Sequence, residues 1–164
     1  MRRTMIFTAA MALVASAVLA GCGEDEPATG AGTQSASADE IRTSDSDLGT
    51  ILVDGEGRTL YLFTQDSPGT SVCEAECLDA WPPVEGEVSA GEGVDAGLIG
   101  TIERSDGSTQ ASYGDWPLYY FAEDTEAGDV NGQGVNDVWY VIGPDGEAVK
   151  KAPDTGMGGG GGGY

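Results

Sequence analysis

A chain of 164 residues with 28 acidic against seven basic side chains carries a formal charge of −21. That surplus excludes nucleic acid as a partner, because binding a polyanion needs basic groups that displace condensed counterions, and it opposes direct spreading on an anionic bilayer. The sequence has no histidine, which removes the usual base of serine and cysteine triads and a common haem or copper ligand.

Residues 1–21 read as an export leader. Arg2 and Arg3 precede a mostly apolar run that ends in Leu19-Ala20-Gly21-Cys22, the layout of a bacterial signal whose processing leaves a lipid-modified cysteine. The run is short for a membrane-spanning helix, and a spanning anchor or a simple secretory signal are the alternatives. Cleavage before Cys22 leaves 143 residues, and losing Arg2 and Arg3 leaves five basic against 28 acidic residues, a net of −23. The expected location is the outer side of the cell membrane, or the outer membrane where the envelope has one. Attachment is through the lipid on Cys22, and one acyl chain alone anchors only marginally.

Residues 22–47 contain no aromatic side chain and are rich in Ala, Gly, Ser, Thr, Asp and Glu. Such a segment buries too little apolar surface to offset ordering and reads as a flexible tether. Residues 150–164 end in an unbroken glycine run, Gly158 to Gly163, and read as a disordered tail. Between them, residues 48–149 are enough for one domain with a modest core.

The periodicity within that domain is β. Strands are expected at 50–53 and 58–64 around the turn Asp54-Gly55-Glu56-Gly57, and at 98–104 and 109–113 around Ser105-Asp106-Gly107-Ser108. Further strands are expected at 117–121, 138–142 and 148–149. In the second strand Leu60, Leu62 and Thr64 point one way and Tyr61 and Phe63 the other, so both faces carry bulk. Residues 71–80 suit one or two helical turns, with Ser71 and Glu74 spaced as a capping box, stopped by Trp81-Pro82-Pro83. Residues 85–96 read as a long surface loop.

Two segments match without a gap at an offset of 58. Tyr61-Leu62-Phe63-Thr64-Gln65-Asp66 aligns with Tyr119-Tyr120-Phe121-Ala122-Glu123-Asp124, and Trp81 aligns with Trp139. The match indicates an internal duplication, with repeats at about 48–90 and 98–149. The expected fold is all-β: one compact domain of two duplicated halves, sandwich- or barrel-like.

The repeated Tyr-x-aromatic-x-x-Asp signature, together with Cys73, Cys77, Trp81-Pro82-Pro83, Gln110 and the segments 113–121 and 128–140, resembles a family of bacterial secreted-repeat lipoproteins. The resemblance covers residues 48–149. It implies export and lipid anchoring, and it brings no catalytic residue with it.

Four groups of side chains are candidate sites. Cys73 and Cys77 are the cysteines left once Cys22 carries lipid, and outside the cytoplasm they favour a structural disulfide over a redox-active pair, since Glu74 and Glu76 disfavour a thiolate. Asp129, Asn131 and Gln133 alternate like the ligands of a calcium loop, with Asn136 and Asp137 close behind. Tyr140, however, stands where a bidentate glutamate is required, so a hydrogen-bonded loop is preferred to a calcium site. The signature residues Tyr61, Phe63, Trp81, Tyr119, Phe121 and Trp139 read as core. Asp66 and Asp124 read as clasps that tie each strand end to the loop after it. Trp116 and Tyr120 are the aromatics expected to reach a ligand face. Nothing singles out a catalytic pair, and the expectation is no enzyme and no cofactor, calcium being the alternative. The function expected is a structural or binding role in the cell envelope. Its partner would be an envelope protein or glycan, with a calcium- or carbohydrate-binding module and an extracytoplasmic redox protein as the alternatives.

Overall fold

The computed structural model describes residues 39–151. The leader, Cys22, most of the expected tether and the glycine run lie outside the described residues. The strands are β1 (Glu40–Ser46), β2 (Gly49–Asp54), β3 (Tyr61–Phe63), β4 (Ser89–Ala90), β5 (Ile99–Glu103), β6 (Thr109–Tyr113), β7 (Trp116–Pro117) and β8 (Trp139–Val141). One five-residue helix, α1 (Glu76–Ala80), and single 3₁₀ turns at Ala96–Leu98 and Val135–Asp137 complete the elements among the described residues. The strands form three small sheets, ordered β2-β1-β4, β3-β8 and β5-β6-β7. The domain is mostly β, and no sheet closes into a barrel, which corrects the barrel form of the expectation.

Both expected hairpins form. Asp54 and Arg58 close the first turn, Asp54 N–H donating to Arg58 O at 2.9 Å and Gly57 N–H to Asp54 O at 3.0 Å. β5 and β6 pair antiparallel from Ile99↔Tyr113 to Glu103↔Thr109. The end of the expected tether, however, is ordered. Glu40–Ser46 is a strand that pairs with β2 over six residues, from Ile41↔Asp54 to Ser46↔Gly49. Its single inward anchor, Ile41, is fully buried, and its remaining side chains reach the surface. The ladder with an apolar neighbour orders a segment whose own composition looks too polar to order. The same strand recruits β4 in parallel, Glu40↔Ser89 and Ile41↔Ala90, so part of the expected 85–96 loop is also paired.

Helix α1 stops before Pro82 and Pro83 as expected, but without the capping box. Ala75 occupies the N-cap at φ 50° with no side-chain cap. The Ser71 hydroxyl instead pairs with the Tyr119 hydroxyl at 2.6 Å, and Glu74 accepts from Ser105 Oγ.

β3 is covered on both faces. Tyr61 and Phe63 join one buried cluster with Ile51, Val53, Trp81, Tyr119, Trp139 and Val141. Leu60 and Leu62 join a second with Ile41, Leu52, Tyr113, Leu118 and Ile142. The period-2 alternation of β2 and β3 is thus the partition between two cores.

The repeats do not sit side by side; they cross. β3, from the first copy, pairs antiparallel with β8, from the second: Tyr61↔Val141, Leu62↔Tyr140, Phe63↔Trp139. The reverse pairing lays Tyr119-Tyr120-Phe121 along Trp81-Pro82-Pro83, with a Tyr119↔Pro83 bridge. Thr64 N–H donates to Val138 O at 2.8 Å, and the equivalent Ala122 N–H donates to Ala80 O at 2.9 Å. Proline nitrogens have no hydrogen to donate, so Pro82 only accepts, from Tyr120 N–H at 2.8 Å, and the second pairing is thinner. At the centre Tyr61 and Tyr119 exchange both backbone bonds, at 2.9 and 3.0 Å. A local two-fold axis therefore passes between these two residues.

Each half supplies strands whose partners lie in the other. Residues 39–96 and 97–151 expressed separately should give collapsed NMR spectra, and mixing them should restore dispersion. Two independently dispersed, cooperatively unfolding halves would contradict the crossed pairing.

Candidate functional site

Asp66 and Asp124 each clasp the loop that follows. Asp66 Oδ1 accepts Val72 N–H at 2.8 Å, and Asp124 Oδ1 accepts Asn131 N–H at 2.9 Å. Their second oxygens reach across the two-fold. Tyr119 donates its hydroxyl proton to Asp66 Oδ2 at 2.7 Å, and Tyr61 donates to Asp124 Oδ2 at 2.6 Å. Each signature tyrosine thus serves the signature aspartate of the other copy. Charge-assisted hydrogen bonds of this kind are short and roughly twice as strong as neutral ones.

Burial is the largest influence on both carboxyls and holds them above the usual carboxylate range. On Asp66 the Val72 amide, the Tyr119 hydroxyl and Arg104 pull the other way; on Asp124 the Tyr61 hydroxyl and Asn131 do so. Burial, reinforced by these carboxylates, also raises both tyrosines above the ordinary phenol, so they remain donors.

The surroundings of the two pairs differ. Arg104, buried, donates to Ser71 Oγ at 3.0 Å and also to Gln110 Oε1 and Cys73 O. Since the Tyr119 proton points to Asp66, Ser71 must donate to Tyr119. The chain Arg104–Ser71–Tyr119–Asp66 thus aligns its donors towards the first carboxylate, which the Arg104 charge also favours in its ionised form. Arg104 escaped the sequence reading because a cation in a predicted hairpin looks like surface.

Trp81 and Trp139 stack across the axis, centroids 3.9 Å apart and planes within 2°. Phe63 lies on Trp139 at 4.2 Å and Phe121 on Trp81 at 4.3 Å, with Tyr61 and Tyr119 edge-on at 5.4 and 5.1 Å. Contacts of this kind contribute about 0.5–1.5 kcal/mol each beyond their buried area. Gly132 lies against this column; a Cβ there would fall 2.7 Å from Trp81 and 2.9 Å from Tyr61. That approach, and not a metal loop, accounts for the glycine.

The five calcium candidates are not brought together as ligands. Asp129 Oδ2 accepts the amides of Thr125 and Glu126 at 3.0 and 2.9 Å. Asn131 Nδ2 donates to Glu123 O at 3.4 Å. Gln133 accepts Val141 N–H at 2.9 Å and donates to Val149 O and Lys151 O, pinning the first residues of the expected tail. Asn136 and Asp137 are exposed and stand at φ 54° and 58°, a left-handed turn that these two residue types tolerate. Among the described residues no three Asp, Glu or Cys side chains gather at metal-holding spacing.

Cys73 and Cys77 form a disulfide, Cα to Cα 5.4 Å, with Cys73 in the core. The offset of 58 aligns Cys73 with Asn131. The paired clasps instead align Val72 with Asn131 and Cys73 with Gly132. The second copy carries one extra residue between its aspartate and the clasped amide, which ungapped alignment cannot see.

Trp116 and Tyr120 are both half-buried, but they line different clefts. Tyr120 lines one of about 200 Å³ with Arg58, Pro82, Phe121 and Asp124. Trp116 lines another of about 260 Å³ with Leu62, Thr64, Glu147 and Lys150. In the first, Arg58 Nε donates to the fully buried Asp54 Oδ2 at 2.9 Å. Its guanidinium carbon sits 4.0 Å from the centroid of the Tyr120 ring, and the Tyr120 hydroxyl donates to the same Asp54 oxygen at 3.1 Å. Arg58 and Asp54 were absent from the sequence-level candidates. The available signal was scarcity: Arg58 is one of only five basic residues from Cys22 onward.

Strand-end aspartates clasped across an internal two-fold define a duplicated β-repeat domain. The chain belongs to the lipoprotein family described as "Secreted repeat of unknown function", whose model matches residues 42–85 and 100–142. No curated protein and no solved structure matches it.

Replacing Asp66 or Asp124 by Ala strands a tyrosine hydroxyl and a loop amide. Each change should cost about 1–3 kcal/mol in urea unfolding, more than Asp106→Ala, whose carboxylate is exposed and serves only Ser108. Because both folded carboxyls bind a proton more tightly than in the unfolded chain, stability should fall as pH rises from about 4 through their raised values. That decline should be shallower in the Asp66→Asn/Asp124→Asn double variant. Converting both cysteines to Ala should cost about 2 kcal/mol from a five-residue loop and leave the spectrum of the fold unchanged.

Proposed function

We propose that this domain is a non-catalytic binding module displayed on the cell envelope, and that the cleft beside Arg58 takes a neutral sugar unit of an envelope glycan. The observation that carries this reading is the furnishing of the cleft. Tyr120, Phe121 and Pro82 offer apolar surface for the C–H face of a sugar ring. Arg58 and Asp124 offer a planar donor and a planar acceptor for hydroxyls. A space of about 200 Å³ is below the ~300–1,000 Å³ of sites for drug-sized ligands and suits one ring.

Charge selects against anionic ligands. Arg58 is already compensated by Asp54 at 2.9 Å and Glu56 at 3.6 Å, so an anion gains little there, and the net −23 of the processed chain repels acidic polymers. The guanidinium commits its Nε to Asp54, which leaves its terminal NH₂ groups for a hydroxylated ligand.

The test is NMR titration of the lipid-free exported chain with glucose and N-acetylglucosamine and their β-1,4-linked oligomers. Shifts should cluster at Thr59, Tyr120 and Ala122, and Arg58→Ala should weaken binding at least tenfold. Absence of any shift in this cleft at millimolar sugar would reject the reading.

A further inference from the structure

The two clefts lined by Tyr120 and by Trp116 are one site made twice. Positions related by the repeat offset of 58 build both of them. Arg58 lines the first and its counterpart Trp116 lines the second; Tyr120 lines the first and its counterpart Leu62 the second; Ala122 lines the first and its counterpart Thr64 the second. Each cleft is composite. The first takes position 58 from one copy and 120 and 122 from the other, and the second takes 116 from one copy and 62 and 64 from the other. This follows from the crossed pairing, which lays β3 and its counterpart along strands of the opposite repeat.

The matching positions hold different side chains, yet each cleft ends with the same three chemical parts. The first has an aromatic pair, Tyr120 and Phe121, a cation, Arg58, and a carboxylate, Asp124. The second has an aromatic, Trp116, a cation, Lys150, and a carboxylate, Glu147. Lys150 and Glu147 are not repeat counterparts of Arg58 and Asp124; they arrive on the segment after β8. Two unrelated routes to one set of groups, in spaces of about 200 and 260 Å³, indicate one class of ligand.

The cations strengthen the case. Only five basic residues remain after the leader, and two of them stand in these clefts. Arg58 lies over the Tyr120 ring, and Lys150 Nζ sits 6.0 Å from the centroid of Tyr140. Tyr140 is the counterpart of Pro82, which lines the first cleft.

From these relations we infer that the cleft at Trp116 is a second sugar subsite, so that one domain binds two neutral units, with an indole platform in one and a phenol–guanidinium platform in the other. The inference rests on the sugar-binding reading of the first cleft and goes beyond it in number and in residues.

The test uses the full exported chain without lipid and the β-1,4-linked disaccharide of N-acetylglucosamine, then the tetrasaccharide. The indole N–H of Trp116 should shift on titration while those of Trp81 and Trp139, both buried, stay fixed. Calorimetry should give two disaccharides per chain. Trp116→Ala should remove one and leave the Arg58 cleft intact, and Arg58→Ala should remove the other. Since Trp116 packs partly against the second core, Glu147→Gln and Lys150→Ala, both exposed, repeat the measurement without disturbing packing; each should weaken the second site at least fivefold. A single site, with the Trp116 indole unmoved, overturns the second subsite and leaves the first reading standing. Binding confined to Trp116 overturns the first reading and, with it, the pairing of two like sites. No binding of either probe overturns both.

Discussion

Everything in this domain depends on the exchange between Tyr61 and Tyr119. Their backbones trade two hydrogen bonds at the centre of the molecule, and their hydroxyls each reach the aspartate of the other repeat. One residue type at one position therefore supplies a ladder pair, a buried apolar ring and a charged-group donor at once. The tryptophan stack lies against this crossing, and β3 and β8 each find their ladder partner in the opposite copy. A tyrosine is the side chain that performs all three tasks, since phenylalanine has no donor and a shorter polar residue fills no core.

The repeat was legible because it conserved large residues at a constant offset within one chain, and the alternation of Leu60, Tyr61, Leu62 and Phe63 announced a strand covered on both faces. The crossing itself was not legible. An offset says that two segments are alike, but it carries no information about whether like pairs with like or each pairs with the other's tail. The same blindness hid β1. Glu40–Ser46 holds one buried aliphatic residue among polar ones, and its order comes from a partner strand that composition cannot represent. Ser71 and Glu74 had the spacing of a helix cap and were drawn into tertiary bonds instead, where a buried arginine and a tyrosine offered better partners than a free helix end.

Site residues divided along the same line. Those whose role is local, such as the aspartates bonding loop amides six or seven residues on, followed from sequence spacing. Those whose role is assembled from distant segments did not. Arg58 and Asp54 acquire their meaning from Tyr120, and Arg104 from Ser71 and Cys73, which no local pattern connects to them. The candidate calcium loop is the converse case: the oxygen-bearing residues are present in the right order, but Asp129 turns an oxygen onto the Thr125 and Glu126 amides and Gln133 turns its own onto Val141 N–H. Those bonds, with Val130, Val135 and Val138 packed on the tryptophan cluster, hold the loop in one shape.

Joining two copies into one chain also releases a restriction that binds identical subunits. Were the crossed pairing made by two separate single-repeat chains, every change at one cleft would be imposed on the other, and Arg58 in one would mean arginine in both. Within a single chain the central tyrosines, aspartates and tryptophans have stayed alike, because each must fit its mirror partner. The rims owe no such debt. Arginine at 58 answers to tryptophan at 116 in the other cleft, and tyrosine at 120 to leucine at 62, so the molecule keeps the mechanics of a symmetric pair while its two sides are free to specialise.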